Sequence, residues 1–454
     1  MQDATARFSV GRVTRFYVPL LLQGFSQSLT YPLVAGIVTH GAFGVNGLTA
    51  FSQGLMIMFM IGAIGGGLVT TGLVFAKTWF GYVSFRRLNG LMALVLLSVQ
   101  AIVALPPFDG WIFEGFFGLP PELAAVSRRI LLGGLVMNFG FFLRNVPVVV
   151  LFNRFESGKA NNATLARIVL TVALTAVLPR FGYVGPEWGL WALTLGVWLE
   201  TFITWLYARP YVAELSGRTA PDPVPPSALA GGVSMTSLLV EQFRFTMPLA
   251  LGGFLLACSP LVIAAFVARS ADPTDMLAIH YVSIGVANPV SFAALRLQTV
   301  AVKFLPEYPG DKRLLAYAVV AGLLLGLGPL LFATPWVGNW YFGTFQNVPA
   351  RILPTARLAI GLYAFICVIH AVRARIEGIA AARKRSDAVM CGQIAYTVAL
   401  LVACSVLLPL GVPGWLMAVL AIHAGPIAVT ATVYGRLRKT CFCYNWHTTE
   451  RTVP

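Results

Sequence analysis

Arg15–Phe25 reads RFYVPLLLQGF and Arg244–Phe254 reads RFTMPLALGGF. The two stretches share Arg-Phe, Pro-Leu, Leu, Gly and Phe in one register, at an offset of about 229 residues, and each opens a long apolar run. The chain therefore reads as a duplicated membrane protein with two pseudo-equivalent halves. The register continues beyond the first helix. Phe75 falls opposite Phe304, Arg144 opposite Arg373, Arg154 opposite Arg383 and Gly185 opposite Gly414.

Composition sets the same bound independently. Of the 454 residues, 57% are hydrophobic and 11% charged, at a mean hydropathy of +0.78, more apolar surface than a water-soluble domain buries. Apolar runs of about 20 residues, the length of a spanning helix, fall near 16–39, 49–75, 89–106, 126–150, 163–179, 187–208, 245–268, 276–300, 314–334, 352–372, 388–409 and 412–434. These runs are continuous rather than alternating, which excludes a barrel and leaves an all-α integral membrane protein of about twelve helices in two six-helix lobes.

The expected division is a first lobe over 1–210, a linker over 211–241 rich in Pro, Ala and Gly, a second lobe over 242–440 and a tail over 441–454. Lys and Arg crowd the short connections on the side of the N-terminus, so both termini are expected in the cytoplasm and the lobes are parallel repeats about an axis along the membrane normal. Arg167 counts among those inward loop cations, and the formal charge of +15 reads as a topology signal, not a nucleic-acid footprint. Nothing in the sequence calls for a cofactor. Cys441 and Cys443, near His447, read as tail residues, with metal binding or lipidation as the alternatives. The partners expected are the lipid bilayer and a small substrate, and a monomer is compatible with this design.

Two lobes of this kind leave a cavity between them, and irregular helices at matching places locate it. The first helix carries Pro19 and Pro32 around Gln23 and Gln27, and the seventh carries Pro248 and Pro260. Bends at Pro32 and Pro260 are expected to face each other and serve gating. Gly62–Gly67 marks either close helix packing or a hinge.

Charges inside spans are costly, so each is a candidate for function. Arg144 with Asn145, Arg296 with Gln298, and Arg373 with Arg375 all lie in the inner halves of their helices, level with Lys77 and Lys303. Together they are expected to form a basic vestibule holding a small polyanion through forked guanidinium contacts, with snorkelling to headgroups as the plainer reading. Glu377 stands one turn after Arg373 as its ion-pair partner, and no carboxylate is evident for Arg144. A proton-coupling role for Glu377 with His370, and for Glu200 in the sixth helix, is the alternative. No P-loop, zinc spacing or nucleophile elbow is present, so no enzyme is expected.

FTMPLALGGFLLACSPLVIAAFVARS at Phe245–Ser270, VRARIEG at Val372–Gly378, LLPLGVPG at Leu407–Gly414 and GLVFAK at Gly72–Lys77 resemble the progressive ankylosis (ANK) family. That resemblance implies a MATE-like architecture, shared with multidrug and toxin extruders and lipid flippases, and export of anionic metabolites such as citrate, pyrophosphate or nucleotides. Arg373 and Arg375 fall in the matching VRARIEG motif, although the family often carries His at the second of these positions. Short loops and the Ala, Leu and Arg bias point to a prokaryotic relative in the cell membrane. Two alternatives remain beside the anion exporter. One is a flippase for a lipid-linked, phosphate-bearing sugar. The other is a proton-coupled multidrug extruder, which is expected to carry carboxylates in its first or seventh run; both runs lack them.

Overall fold

The computed structural model describes residues 8–217, 234–306, 312–346 and 348–441, with the side chains of 27–33, 45, 274, 345 and 439–441 excluded. Gln27, Pro32, Cys441, Cys443 and the centre of the linker thus lie outside the described residues and side chains. Fifteen helices carry the fold: α1 Val10–Thr39, α2 Gly44–Ile64, α3 Gly67–Phe75, α4 Trp79–Val103, α5 Pro121–Asn153, α6 Ser157–Val177, α7 Pro186–Leu215, α8 Met235–Val267, α9 Pro273–Leu295, α10 Leu297–Phe304, α11 Arg313–Ala333, α12 Leu353–Tyr363, α13 Ile366–Ala382, α14 Ser386–Leu407 and α15 Gly414–Cys441. Among the described residues there is no strand. Eleven helical segments are long and apolar enough to cross a membrane, and α1 adds thirty residues of helix. Large apolar side chains such as Leu94, Phe202, Leu324 and Val402 stand exposed on the outer faces of these helices, as lipid requires.

Helix starts follow local chemistry. The Ser9 hydroxyl accepts from the Arg12 amide and Thr78 from the Gly81 amide, while α5, α7 and α9 open on proline, whose missing N–H is no loss there. The helices also run into the expected linker. Residues 211–215 complete α7 and 235–241 begin α8, because side chains there find partners: Tyr211 donates to Glu156, and Glu241 pairs with Lys384.

The repeat is visible at the level of single contacts. Gly24 and Gly253, the glycines of the two opening stretches, each press α1 or α8 against the backbone of the other lobe. A Cβ on Gly24 would lie 3.1 Å from the Phe292 carbonyl oxygen, and one on Gly253 would lie 2.8 Å from that of Ala63. The same offset relates the two carbonyls. Phe16 meets Phe304 edge-on at 5.7 Å, and its counterpart Phe245 meets Phe75 at 5.3 Å. Gly185 and Gly414 are repeat-related for a steric reason: the first touches Gly41 and the second Ser270, the pair of residues that correspond.

Among the described residues the helices are continuous through their interior prolines. α1 runs through Pro19, α8 runs through Pro248 and Pro260, and Pro260 is exposed. The chain interrupts its helices instead at Gly65–Gly66 between α2 and α3, and at Arg296 between α9 and α10, corresponding places in the two halves. A further matched element is a π-helical turn, Trp111–Phe116 in one lobe and Asn339–Phe345 in the other, with Phe113 and Phe342 fully buried.

Cross-lobe bonds gather at the end of the bundle where α1 begins. Tyr17 donates to the Ala293 carbonyl at 3.1 Å, the Thr71 and Thr246 hydroxyls meet at 2.7 Å, and Lys303 donates to the Asn153 carbonyl at 2.6 Å. Lys303 also lies over the Phe155 ring, so it ties the two lobes together. The structure is closed at this end. In a background without native cysteines, the pair Thr71→Cys and Thr246→Cys is expected to cross-link on mild oxidation, read as covalently joined halves after cleavage between residues 218 and 233. Failure to cross-link would place the lobes further apart than the structure has them.

Candidate functional site

Arg144 projects from α5 toward α7, where Nη1 lies 2.9 Å from Oε1 of Glu200. Arg167 reaches the other oxygen of the same carboxylate from α6, also at 2.9 Å. The Thr164 hydroxyl, one turn before Arg167, donates to Glu200 at 2.6 Å and accepts from the Gln23 amide of α1 at 3.0 Å. Four helices thus converge on one buried carboxylate. Gly196 makes the approach possible: a Cβ there would lie 2.9 Å from Arg167 Cγ and 2.7 Å from the Thr171 hydroxyl.

Arg296 stands at the interruption between α9 and α10, helices of the other lobe that both pack on α1. Its position follows from the seam: Gln23 is next to Gly24, and Gly24 packs on Phe292 and Ala293, one turn before Arg296. Arg144 and Arg167 thus share the carboxylate of Glu200 inside the spans, on the side of the first lobe that meets the second. Arg144 also lies over the Phe141 ring at 5.0 Å, and its buried Nε has no hydrogen-bond partner among the described residues.

The corresponding place in the second lobe is built differently. Arg373 Nε lies 3.0 Å from Glu377 Oε1 on its own helix, and Nη2 donates to Gln393 Oε1 at 3.1 Å. Gln393 in turn donates to Glu377 at 2.7 Å, and Tyr396 offers its ring face to the guanidinium at 5.4 Å. Gln393 corresponds to Thr164, Tyr396 to Arg167, Gly425 to Gly196 and Gly252 to Gln23. Bulk is exchanged across the pairs: Gln23 reaches to the small Thr164, whereas Gln393 fills the space beside Gly252. One cation faces one carboxylate here.

These geometries correct one expectation and add to another. Arg144 does have a carboxylate partner, Glu200, which sequence distance concealed because it arrives on a helix 56 residues away. Arg373 is as deeply buried as Arg167 and is held by Glu377 and Gln393 beneath the Tyr396 ring. The Glu377–Arg373 ion pair itself forms as the i,i+4 spacing implies. The structure brings Gln23, Arg144 and Glu200 together, adds Arg167 and Thr164, and places Arg296 across the seam. It places Asn145 elsewhere, donating to Asn89 within the first lobe at 3.4 Å. Arg375 and His370 lie on the second-lobe helix α13, where the buried Arg375 Nε and His370 Nδ1 find no hydrogen-bond partner. Among the described residues no group of His, Cys, Asp and Glu is arranged to hold a metal ion.

Solved structures share this architecture over nearly the whole chain. A eukaryotic MATE transporter, AtDTX14, superposes with a TM-score of 0.72 at 14% identity, covering 96% of each chain. A transporter of the MOP superfamily from Pyrococcus furiosus, for which a binding pocket of reverse polarity is reported to suggest a different function, superposes at 0.70 with 13% identity and the same coverage. A point mutant of the Vibrio cholerae MATE transporter VcmN gives 0.68 at 14% identity over 94% of this chain and 97% of that one. The fold is therefore that of MATE transporters. No protein-family model and no curated protein sequence matches the chain.

Proposed function

We propose that the chain is an alternating-access transporter that moves a small oxyanion through the cluster of Arg144, Arg167 and Arg296. The observation that carries this reading is the convergence of Arg144, Arg167 and Thr164 on one buried carboxylate, Glu200, inside the spans. Guanidinium groups inside a span attract an anion strongly, since little water screens them, and their forked N–H groups match carboxylate or phosphate oxygens. The resemblance to the progressive ankylosis family agrees and narrows the substrates to citrate, pyrophosphate or nucleotides. The MATE-type fold supplies the rocking lobes, and the pocket of reverse polarity reported for the Pyrococcus furiosus protein supports more than one kind of cargo on this fold. Arg144 and Arg167 bind, Arg296 couples binding to closure of the lobes, and Gln23 with Thr164 fixes Glu200. With both termini in the cytoplasm, the closed end faces inward.

The test is uptake of labelled citrate, pyrophosphate and ATP into vesicles holding the full chain, with and without a pH gradient. Saturable uptake of at least one, about tenfold over empty vesicles, is expected. No uptake of any would remove the anion reading. A second reading, a flippase for a lipid-linked phosphate-bearing sugar, is favoured by one feature: an apolar groove between α4 of the first lobe and α8 of the second, lined by Leu88, Leu91, Met92, Leu239, Val240 and Phe243, suits an acyl chain. Scrambling of a fluorescent polyprenyl phosphate, without uptake of the soluble anions, would favour it.

A further inference from the structure

The seam between the lobes has two repeat-related sides, α1 with α11 and α8 with α4. Tyr317 of α11 stands where α4 carries Leu88, and Thr14 of α1 stands where α8 carries Phe243. Protein bridges the first side: Tyr317 donates to the Thr14 hydroxyl at 3.2 Å and meets the Tyr17 ring edge-on at 6.1 Å. On the second side the exchange removes both hydroxyls. Gln242 ties α8 to α4 by donating to the Gly81 carbonyl at 3.3 Å, and beside this tie lies the apolar groove. Leu88 and Met92 form its buried floor, while Leu91, Val240 and Phe243 form walls that stand open on the outer face of the bundle.

The groove has a volume of about 190 Å³. A cavity of roughly 150 Å³ takes one benzene, so this one admits a stretch of a single acyl chain. Its rim is basic. Arg87 stands one turn before Leu91 on α4, and Arg244 one turn after Val240 on α8; both are exposed and, among the described residues, neither is paired with a carboxylate. The position corresponding to Arg87 is Ala316, so the added cation goes with the side that protein does not bridge. Long cationic side chains on a lipid-facing surface reach toward the headgroups, and their forked N–H groups match phosphate oxygens. Apolar walls and two cations complement an anionic phospholipid, with a chain in the groove and the headgroup on the arginines. A zwitterionic lipid carries its own cation and gains less there.

We propose that the groove between α4 and α8 binds one anionic phospholipid from the leaflet on the side where α1 begins, and that this lipid completes the seam where protein leaves it open. Because α4 belongs to the first lobe and α8 to the second, the lipid touches both and favours the closed arrangement of that end. The site does not depend on what the chain transports.

The experiment uses the purified, delipidated full chain in detergent with dioctanoyl phosphatidylglycerol, dioctanoyl phosphatidylcholine or glycerophosphate, compared by their protection against thermal unfolding. Phosphatidylglycerol is expected to bind about tenfold more tightly than phosphatidylcholine, and glycerophosphate, which lacks the chains, more weakly than either. Arg87→Gln combined with Arg244→Gln should bring phosphatidylglycerol down to the level of phosphatidylcholine. Val240→Trp, which fills the groove, should weaken both lipids, and Leu91→Trp should do the same from the opposite wall. All four positions are exposed, so the variants keep the fold. Equal affinity for the two lipids in the native protein overturns the proposal, as does a preference for phosphatidylglycerol that none of these substitutions changes. A polyprenyl phosphate that binds through the same residues about tenfold more tightly than phosphatidylglycerol overturns it in favour of a lipid-linked cargo, and a dimer that Val240→Trp dissociates overturns it in favour of a second copy. The readout is independent of uptake, so failure of the anion reading leaves the lipid site standing.

Discussion

Replacing Arg167 by alanine lowers anion uptake by about tenfold to a hundredfold, while the protein still inserts and folds. The magnitude follows from losing one charged hydrogen bond to the substrate, about 1.5–3 kcal/mol, in a site with little water to compensate. Folding survives because Glu200 keeps Arg144 and Thr164 as partners and is not left as an unpaired buried charge. Arg167→Lys preserves the charge but loses the fork that spans two oxygens, so it recovers only part of the rate. Initial uptake rates in vesicles, normalised to protein content, decide the matter. Wild-type rates in Arg167→Ala would make the residue a structural tie to Glu200 and remove the central support for transport through this cluster.

Arg373→Ala acts on a different quantity. Its guanidinium is buried, hydrogen-bonded to Glu377 and Gln393 and covered by Tyr396, so its loss strands the Glu377 carboxylate inside a span. Breaking one partner of such a pair costs about 3–5 kcal/mol. The expected result is a large fall in melting temperature and in the yield of folded protein. Replacing both partners by apolar residues of similar volume, Arg373→Met with Glu377→Leu, should recover most of the stability, since no charge is then left unpaired. Thermal unfolding of the two variants side by side separates the outcomes. A stable Arg373→Ala protein with lost uptake would return Arg373 to the substrate path.

The contrast explains what the sequence could and could not convey. The duplication, the membrane class and the equivalence of Arg144 with Arg373 are all readable, because each is a matter of register and hydropathy along one chain. That equivalence nevertheless misleads about role. What separates the two arginines is the partner each meets, and Glu200 comes from α7 whereas Glu377 comes from the same helix as Arg373. Arg167 escapes a search for matched cations because its counterpart is Tyr396. A signal was available: α6 begins at Ser157, so ten residues of helical rise put Arg167 about 15 Å from its start, too deep for a loop cation. The helix α8 runs through Pro248 and Pro260 without interruption, since a proline frees a carbonyl without having to end a helix. The paired interruptions at Gly65–Gly66 and Arg296 share a register but no residue type, so only coordinates reveal them.

The paired seam contacts, Phe16 on Phe304 with Phe245 on Phe75, and Gly24 on Phe292 with Gly253 on Ala63, have the form of an isologous dimer interface carried within one polypeptide. Each patch meets the counterpart of its own partner, as two identical subunits would across a two-fold axis. Away from the seam the halves differ, and one carries Arg167 where the other carries Tyr396. Symmetric closure and asymmetric chemistry can coexist in such a chain, because the contacts that align the halves are separate from the residues that distinguish them.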